Sequence, residues 1–330
     1  MKALSGQFDL FDEAPGYRQA PRAKSKAHQV TPHTGPNNLW DAEAAANRLE
    51  ESGIYRVLRK LIPRPLIPRR QSPYPRMAVL VDTETTGLQH AKDEVIEIGA
   101  VAFTYDDDGK IGDVVGVYSG LRQPSSSIPP EITRLTGITD EMVAGQSIDS
   151  AALDALIEPA DLIIAHNARF DRPFCEKLSP AFIPKAWACS VSEIDWADRG
   201  FEGNKLGYLV SQSGLFHEGH RATDDCHALL EVLSHTSNDG MTPFVELLQS
   251  SLLSRVQIFA ENAPFDMKDH LKARGYRWSD GSDGRPKAWW IEVEDELYGA
   301  ELSYLRQEIY RWEDAEPLSA RVTAHDRFRG

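Results

Sequence analysis

Apolar positions along this chain follow three successive rhythms. Between residues 38 and 61, Leu39, Ala42, Ala46, Leu49, Ile54, Tyr55, Leu58 and Leu61 recur at roughly helical spacing, with Gly53 a break between two helices. That segment is expected to pack on the domain that follows it. Residues 62–76 carry five prolines and predict an extended connector. From Met77 the rhythm changes to short apolar runs. Residues 77–83 are β-rich, and residues 95–105 and 111–121 flank an Asp-Asp-Asp-Gly turn, which predicts a hairpin. Another apolar run, 162–165, follows the apolar residues 153–157, and helices are expected to begin near Ala168, Lys205 and Thr223. The implied architecture is α/β, a mixed sheet with helices on both faces.

Downstream, residues 254–312 predict a small α+β unit: a strand at 256–260, a helix at 264–274 stopped by Gly275, a hairpin around 280–286 and a terminal helix. The expected organisation is a tail (1–35), a helical and basic Pro-rich segment (36–76), a catalytic domain (77–237), a connecting segment (238–253) and an accessory domain (254–330). The tail lacks sustained periodicity and is expected to be disordered.

Composition narrows the class. Cys175, Cys189 and Cys226 form no CxxC pair, which argues against a disulfide framework or a zinc ribbon. No stretch approaches the roughly 20 apolar residues of a membrane span, so a soluble, cytoplasmic protein without membrane contact is expected. A formal charge of −14 opposes general affinity for nucleic acid. The bases are uneven, however: residues 53–76 hold Arg56, Arg59, Lys60, Arg64, Arg69, Arg70 and Arg76 and no acid. This stretch is either a phosphate-contacting patch or a solvated linker beside an acidic domain.

Three stretches carry candidate chemistry. In Val81-Asp82-Thr83-Glu84-Thr85-Thr86-Gly87-Leu88 a strand enters a glycine turn, and its two acids share one strand face. Buried side by side, such carboxylates repel unless cations lie between them, and hard oxygen ligands select magnesium or manganese. In His166-Asn167-Ala168-Arg169-Phe170-Asp171, Asn167 is placed to cap a helix that carries Asp171 in its first turn. In His220-Arg221-Ala222-Thr223-Asp224-Asp225, Thr223 is the expected cap, Asp225 lies in the first turn and His220 in the preceding loop. A zinc site from His217, His220 and Cys226 is the alternative use of this third stretch, and it leaves the upstream acids unexplained.

Taken in order, Asp82, Glu84, Asp171, His220 and Asp225 resemble the DnaQ-like 3'–5' exonuclease superfamily, in the branch with a histidine in its last motif, which includes the proofreading subunits of bacterial replicative polymerases. Asp93 to Ala100 and Leu135 to Thr139 also resemble that family's second strand and nucleotide-pocket loop. The likeness spans roughly residues 77–235. It implies an RNase H-like fold and two divalent metals, Mg2+ with Mn2+ as a substitute, about 3.5–4 Å apart across the scissile phosphate. By resemblance Asp82 contacts both metals, Glu84 and Asp225 serve the one that activates water, Asp171 acts through water on the other, and His220 takes the proton. Asp224 competes with Asp225, and only the family's offset from His220 favours the second. The resemblance also places Thr83, Leu88, Asn167 and Phe170 around the terminal nucleotide, although core packing would equally explain Leu88 and Phe170.

Two further features suggest partners. Gln7-Phe8-Asp9-Leu10-Phe11 resembles the short motif by which bacterial polymerases and repair enzymes dock on the sliding clamp, with Gln7, Leu10 and Phe11 as its anchors. Such a tether raises effective concentration without a basic surface. Tyr276, Trp278, Trp289 and Trp290 alternate with Arg274, Arg277, Arg285 and Lys287, which suggests either a stacking platform for single strands or the core of a small domain. Of Trp289 and Trp290, adjacent on a strand, at most one is expected in the core if the sheet has one wet face. The expected activity is metal-dependent removal of nucleotides from DNA 3' ends in proofreading or repair, with a DNA polymerase as a further candidate partner. RNA trimming, or a clamp or nucleic-acid adaptor with a silent catalytic domain, are the alternatives.

Overall fold

The computed structural model describes residues 38–236, 240–282 and 284–329, which divide into two units between Val57 and Leu58. The tail at 1–35 and its clamp-like motif lie outside the described residues. Among the described residues of the first unit one helix forms, α1 (Asn38–Glu51), and it ends where Gly53 turns to φ +69°. The second helix expected from the 54–61 pattern is absent, because the chain beyond the glycine is already extended. In the second unit β1 (Arg59–Lys60) pairs in parallel with β7 (Leu215–Phe216). Prolines at 63 and 65 agree with that extended course. Several of these bases meet acids of this unit: Lys60 meets Glu218, Arg64 grips Glu231 at 2.7 Å, and Arg76 faces Asp107 and Asp161.

The main sheet has five strands in the order β4-β3-β2-β5-β6. β2 (Arg76–Thr85), β3 (Val95–Tyr105) and β4 (Ile111–Leu121) run antiparallel as a meander, and β5 (Leu162–Ala165) and β6 (Ala186–Cys189) join β2 in parallel. Between β4 and β5 lie α2 (Pro130–Thr136), α3 (Asp140–Val143) and α4 (Ser150–Ile157). α5 (Ala168–Leu178) follows β5, while α6 (Leu206–Gln212), α7 (Ala222–Leu233) and α8 (Pro243–Leu252) follow β6. Each face of the sheet carries its own core. Ala78, Leu80, Val101 and Phe103 pack with Leu229 and Val232 of α7 and Phe244 of α8. On the opposite face Val79, Val81 and Ile163 pack with Ile157 of α4 and Phe174 of α5. The 238–253 stretch is therefore more than a connector: Thr242 caps α8 through its side chain, and Leu247 is buried with Phe244 in the first core.

One glycine sets the distance between sheet and helix. A Cβ on Gly99 of β3 would lie 2.3 Å from the backbone of Ala222 and Thr223, so α7 begins in direct contact with the strand opposite Asp82. Gly99→Ala is expected to destabilise the fold by about 1–3 kcal/mol through overpacking and to displace Asp225. Urea unfolding with a divalent-cation titration checks both effects; a variant as stable and as metal-responsive as wild type would remove this constraint.

The second sheet, ordered β11-β8-β10-β9, is wholly antiparallel and comprises β8 (Arg255–Ala260), β9 (Arg277–Trp278), β10 (Trp289–Glu294) and β11 (Leu318–Val322). The helix expected at 264–274 forms as a 3-10 turn, Phe265–Met267, followed by α9 (Lys268–Ala273). The terminal helix, α10 (Tyr298–Tyr304), continues as a π-helical turn. Trp290 is buried with Phe259, and Trp289 packs on the other face against Ile258 and Leu271, so both faces of this sheet are covered. After β11 the chain returns to the main sheet, where the Ala324 carbonyl accepts from the Trp187 amide at 2.8 Å.

Candidate active site

The two-residue repeat of β2 turns Asp82 and Glu84 toward α7 and Thr83 toward α5. Ligand oxygens of Asp82, Glu84 and Asp225 lie within 4.8 Å of one another, and this is the one such group among the described residues. Asp224 is exposed and lies outside this group, whereas Asp225 is part of it. The zinc alternative fails: Cys226 is buried, its thiol on the Gly99 carbonyl at 3.5 Å, whereas His220 is exposed.

Asp171 comes from the first turn of α5 and is buried, outside that group of three. Thr83 holds it, donating its amide and hydroxyl to Asp171 Oδ1 at 3.1 and 2.8 Å. Thr83 is itself buried, so these two donors serve Asp171 and not a terminal nucleotide. Asn167 takes the N-cap position, but no side-chain capping bond forms, and its side chain is exposed. Leu88 is 47% exposed beyond the strand end, which excludes core packing for it. Phe170 is half-buried and tilted against Phe174 at 5.1 Å, so it contributes to the core. The expected cap at Thr223 is also displaced: the cap of α7 is Arg221, and the Thr223 hydroxyl is buried without a partner.

The acids strain one another. Burial first, then Asp171, Asp225, Glu84 and Glu97, push the Asp82 pKa well above the usual carboxylate range. Glu84 is pushed up to about 8 by burial and then by Asp225 and Glu97. Burial also raises Asp171, opposed by the Thr83 donors. Glu97, opposite Glu84 in the β2–β3 register, is a fifth carboxylate at this site, and Arg221 covers it with a bidentate contact down to 2.8 Å. The residue types of motif and strand conceal this pairing, which spans 124 positions.

Two histidines meet Asp225. His217 Nε2 lies 2.6 Å from Oδ1, and the His220 amide donates to Oδ2 at 2.9 Å from a backbone with φ +68°. The imidazole of His220 remains exposed at the mouth of the site. His166 sits behind, burial lowering its pKa to about 4, with Nε2 on the Asn204 carbonyl and Nδ1 on the Ser190 hydroxyl. A neutral ring donating to the carbonyl and accepting from the hydroxyl satisfies both contacts.

Hard oxygen donors, half-buried and mutually repelling, fit divalent cations well. Because the Glu84 pKa is raised on folding, its contribution to stability is full below the unfolded value of about 4.3 and is lost as pH rises through about 8. The metal-free protein should thus lose stability from about pH 6 to pH 8.5, while cation binding, freed from proton competition, gains. At about 100 times Kd, Mg2+ or Mn2+ contributes about 2.7 kcal/mol, or about 5 °C or more in Tm, with a larger shift at pH 8.5 than at pH 6. Thermal melts with and without chelator check this; a pH-independent shift would detach cation binding from these carboxylates.

Comparison with known proteins agrees with the geometry. The RNase T exonuclease family model matches residues 79–233. The chain is 31% identical over 188 residues to DNA polymerase III subunit epsilon of Treponema pallidum (strain Nichols), covering 51% of this chain and 84% of that protein. It is 30% identical over 243 residues to the 3'-5' exonuclease DinG of Bacillus subtilis (strain 168), covering 68% of this chain but 25% of that one. Among solved structures, exonuclease X in complex with 5' overhanging duplex DNA matches at 26% identity and a TM-score of 0.36, covering 51% of this chain and 99% of its own.

Proposed function

The chain belongs to the RNase T exonuclease family and is a 3'–5' exonuclease, and from that premise we propose that it removes nucleoside monophosphates from DNA 3' ends by two-metal hydrolysis, in proofreading or repair. The observation that supports this most is the convergence of Asp82, Glu84 and Asp225, with Asp171 held beside them by Thr83. Asp82, Glu84 and Asp225 would hold one cation, and Asp82 with Asp171 a second. Bound divalent cations supply positive charge to the attacking and leaving oxygens and make water acidic enough to attack at neutral pH. His220, exposed at the mouth, accepts the proton from that water and returns it to solvent. Its amide and His217 hold Asp225 in place meanwhile. Leu88 and Asn167, exposed at the strand end and the helix start, border the terminal nucleotide.

DNA is favoured over RNA because a relative spanned over 84% of its own length is named as a DNA polymerase subunit. Docking on a sliding clamp through Gln7, Leu10 and Phe11, or on a polymerase, belongs to the same reading. The test is degradation of 5'-labelled single-stranded DNA and RNA of one sequence with Mg2+ or Mn2+, for wild type and His220→Ala. Stepwise shortening of DNA, slowed about 10²–10⁴-fold in the variant, is expected. Faster turnover of RNA favours the RNA-trimming alternative, and metal-dependent cleavage of neither favours the adaptor.

A further inference from the structure

Trp290 of β10 is buried and nearly parallel to Phe259, at 27° and 6.4 Å. Three guanidinium groups converge on its indole. Arg277 of β9 stands 4.2 Å from the ring centroid and Arg285, in the turn between β9 and β10, stands 4.4 Å from it. The third, Arg169, is 5.8 Å away and comes from the other sheet's architecture, in the first turn of α5. Two residues, about 3 Å along the helix axis, separate Arg169 from Asp171. The second sheet thus delivers two arginines to a third in the first turn of the helix that carries Asp171.

Like charges at this spacing resist one another. The Arg277 pKa is lowered by burial and by Arg285. The acid opposing this is Glu292, which is itself held by Gln257 at 3.0 Å and faces Arg255 at 3.6 Å. Cation–π attraction to the indole helps to hold the groups in place. The indole is buried among these guanidinium groups and Phe259, so Trp290 is a scaffold for charge and not a platform for bases. Planar guanidinium forks match phosphate oxygens, and a strand of DNA brings one negative charge per nucleotide.

We propose that Arg169, Arg277 and Arg285, mounted on Trp290, form a phosphate-binding site for the single DNA strand whose 3' end occupies the Asp82–Asp225 centre. The assignment rests on the DNA-exonuclease reading and extends it: the second sheet is part of the substrate site. It also accounts for how a chain of charge −14 holds a polyanion, by concentrating three positive charges beside the reacting end.

The experiment uses the full chain. Fluorescence anisotropy in EDTA measures the affinity of wild type, Arg277→Glu, Arg285→Glu and Arg277→Lys for oligo-dT of 4, 8 and 12 nucleotides at several salt concentrations. Initial rates with Mg2+ on the dinucleotide and the 12-mer follow. Each charge reversal is expected to weaken 12-mer binding about tenfold or more, and to lower the salt slope by about 0.7 for each phosphate that is no longer neutralised. The rate deficit should grow with length, and Arg277→Lys, which keeps the charge but loses the planar fork, should bind with an affinity between those of wild type and Arg277→Glu. Unchanged 12-mer affinity in both reversals overturns the site. So does an equal deficit on dinucleotide and 12-mer, which marks a structural role, as does failure of the lysine variant to recover. If wild type shortens RNA alone, or no oligonucleotide at all, the parent reading has failed before the arginines are compared.

Discussion

Asp82→Asn should lower kcat/KM on single-stranded DNA by about 10³-fold or more, because cation stabilisation of charge in the transition state is worth several kcal/mol and each 1.36 kcal/mol is a factor of ten. Asp82 is the acid whose carboxylate feels all of its neighbours, Asp171, Asp225, Glu84 and Glu97. Asparagine keeps its shape and removes its charge. The loss should fall on kcat and leave the affinity for the strand nearly intact, since the proposed arginine site, and not Asp82, would hold the phosphates away from the scissile bond. In metal-free protein the same substitution should raise stability, because it removes one of the mutually repelling carboxylates. Asp224→Asn, one residue before Asp225 and exposed, is the matched control and should stay close to wild type. Single-turnover rates with Mn2+ titrations decide the matter: a fully active Asp82→Asn, or a control as damaged as the test, would mean that another centre does the chemistry.

The carboxylates are legible in the sequence because each obeys a local rule. Alternation along β2 places Asp82 and Glu84 on one face, and the ends of apolar runs place Asp171 and Asp225 in first helical turns. What holds them is not legible. Thr83 lies 88 residues from Asp171, Arg221 lies 124 from Glu97, and no pattern in a single strand or helix links such pairs. Spacing alone offers His217 only as a zinc ligand, yet its imidazole meets Asp225; the acid is visible in the sequence, but its neighbour depends on how the loop after β7 folds back. The departures in secondary structure have similar causes. The apolar spacing in 54–61 mimics a helix, but β1 finds a strand partner at 215–216. β11 leaves no trace in the apolar pattern because of its five residues only Val322 is buried, too few to produce an alternating signal.

Glu193→Ala should cost about 3–5 kcal/mol, or about 10 °C in Tm, the usual penalty for leaving a buried charge without its partner. Arg327 reaches Glu193 Oε1 at 2.5 Å, both side chains are almost wholly buried, and its other contacts are the carbonyls of Ser250 and Ser251. Burial raises the Glu193 pKa, and Arg327 is the first influence opposing that rise. Arg327→Met should cost less, since Arg255 remains 3.8 Å from Glu193 and the Cys189 amide still donates to it at 2.7 Å. The double variant Glu193→Leu with Arg327→Met should recover much of the loss, as replacing a whole buried pair with apolar groups often does. The consequence reaches the active site, because the carbonyls of Arg327 and His325 accept from Arg172, the residue after Asp171 on α5. Releasing the tail should therefore loosen the helix that carries Asp171. Urea unfolding of the four proteins, with Mn2+ affinity measured alongside, tests the sequence of effects: a Glu193→Ala protein as stable as wild type would show the pair to be dispensable, and one that loses stability but keeps its full cation affinity would confine its role to the fold.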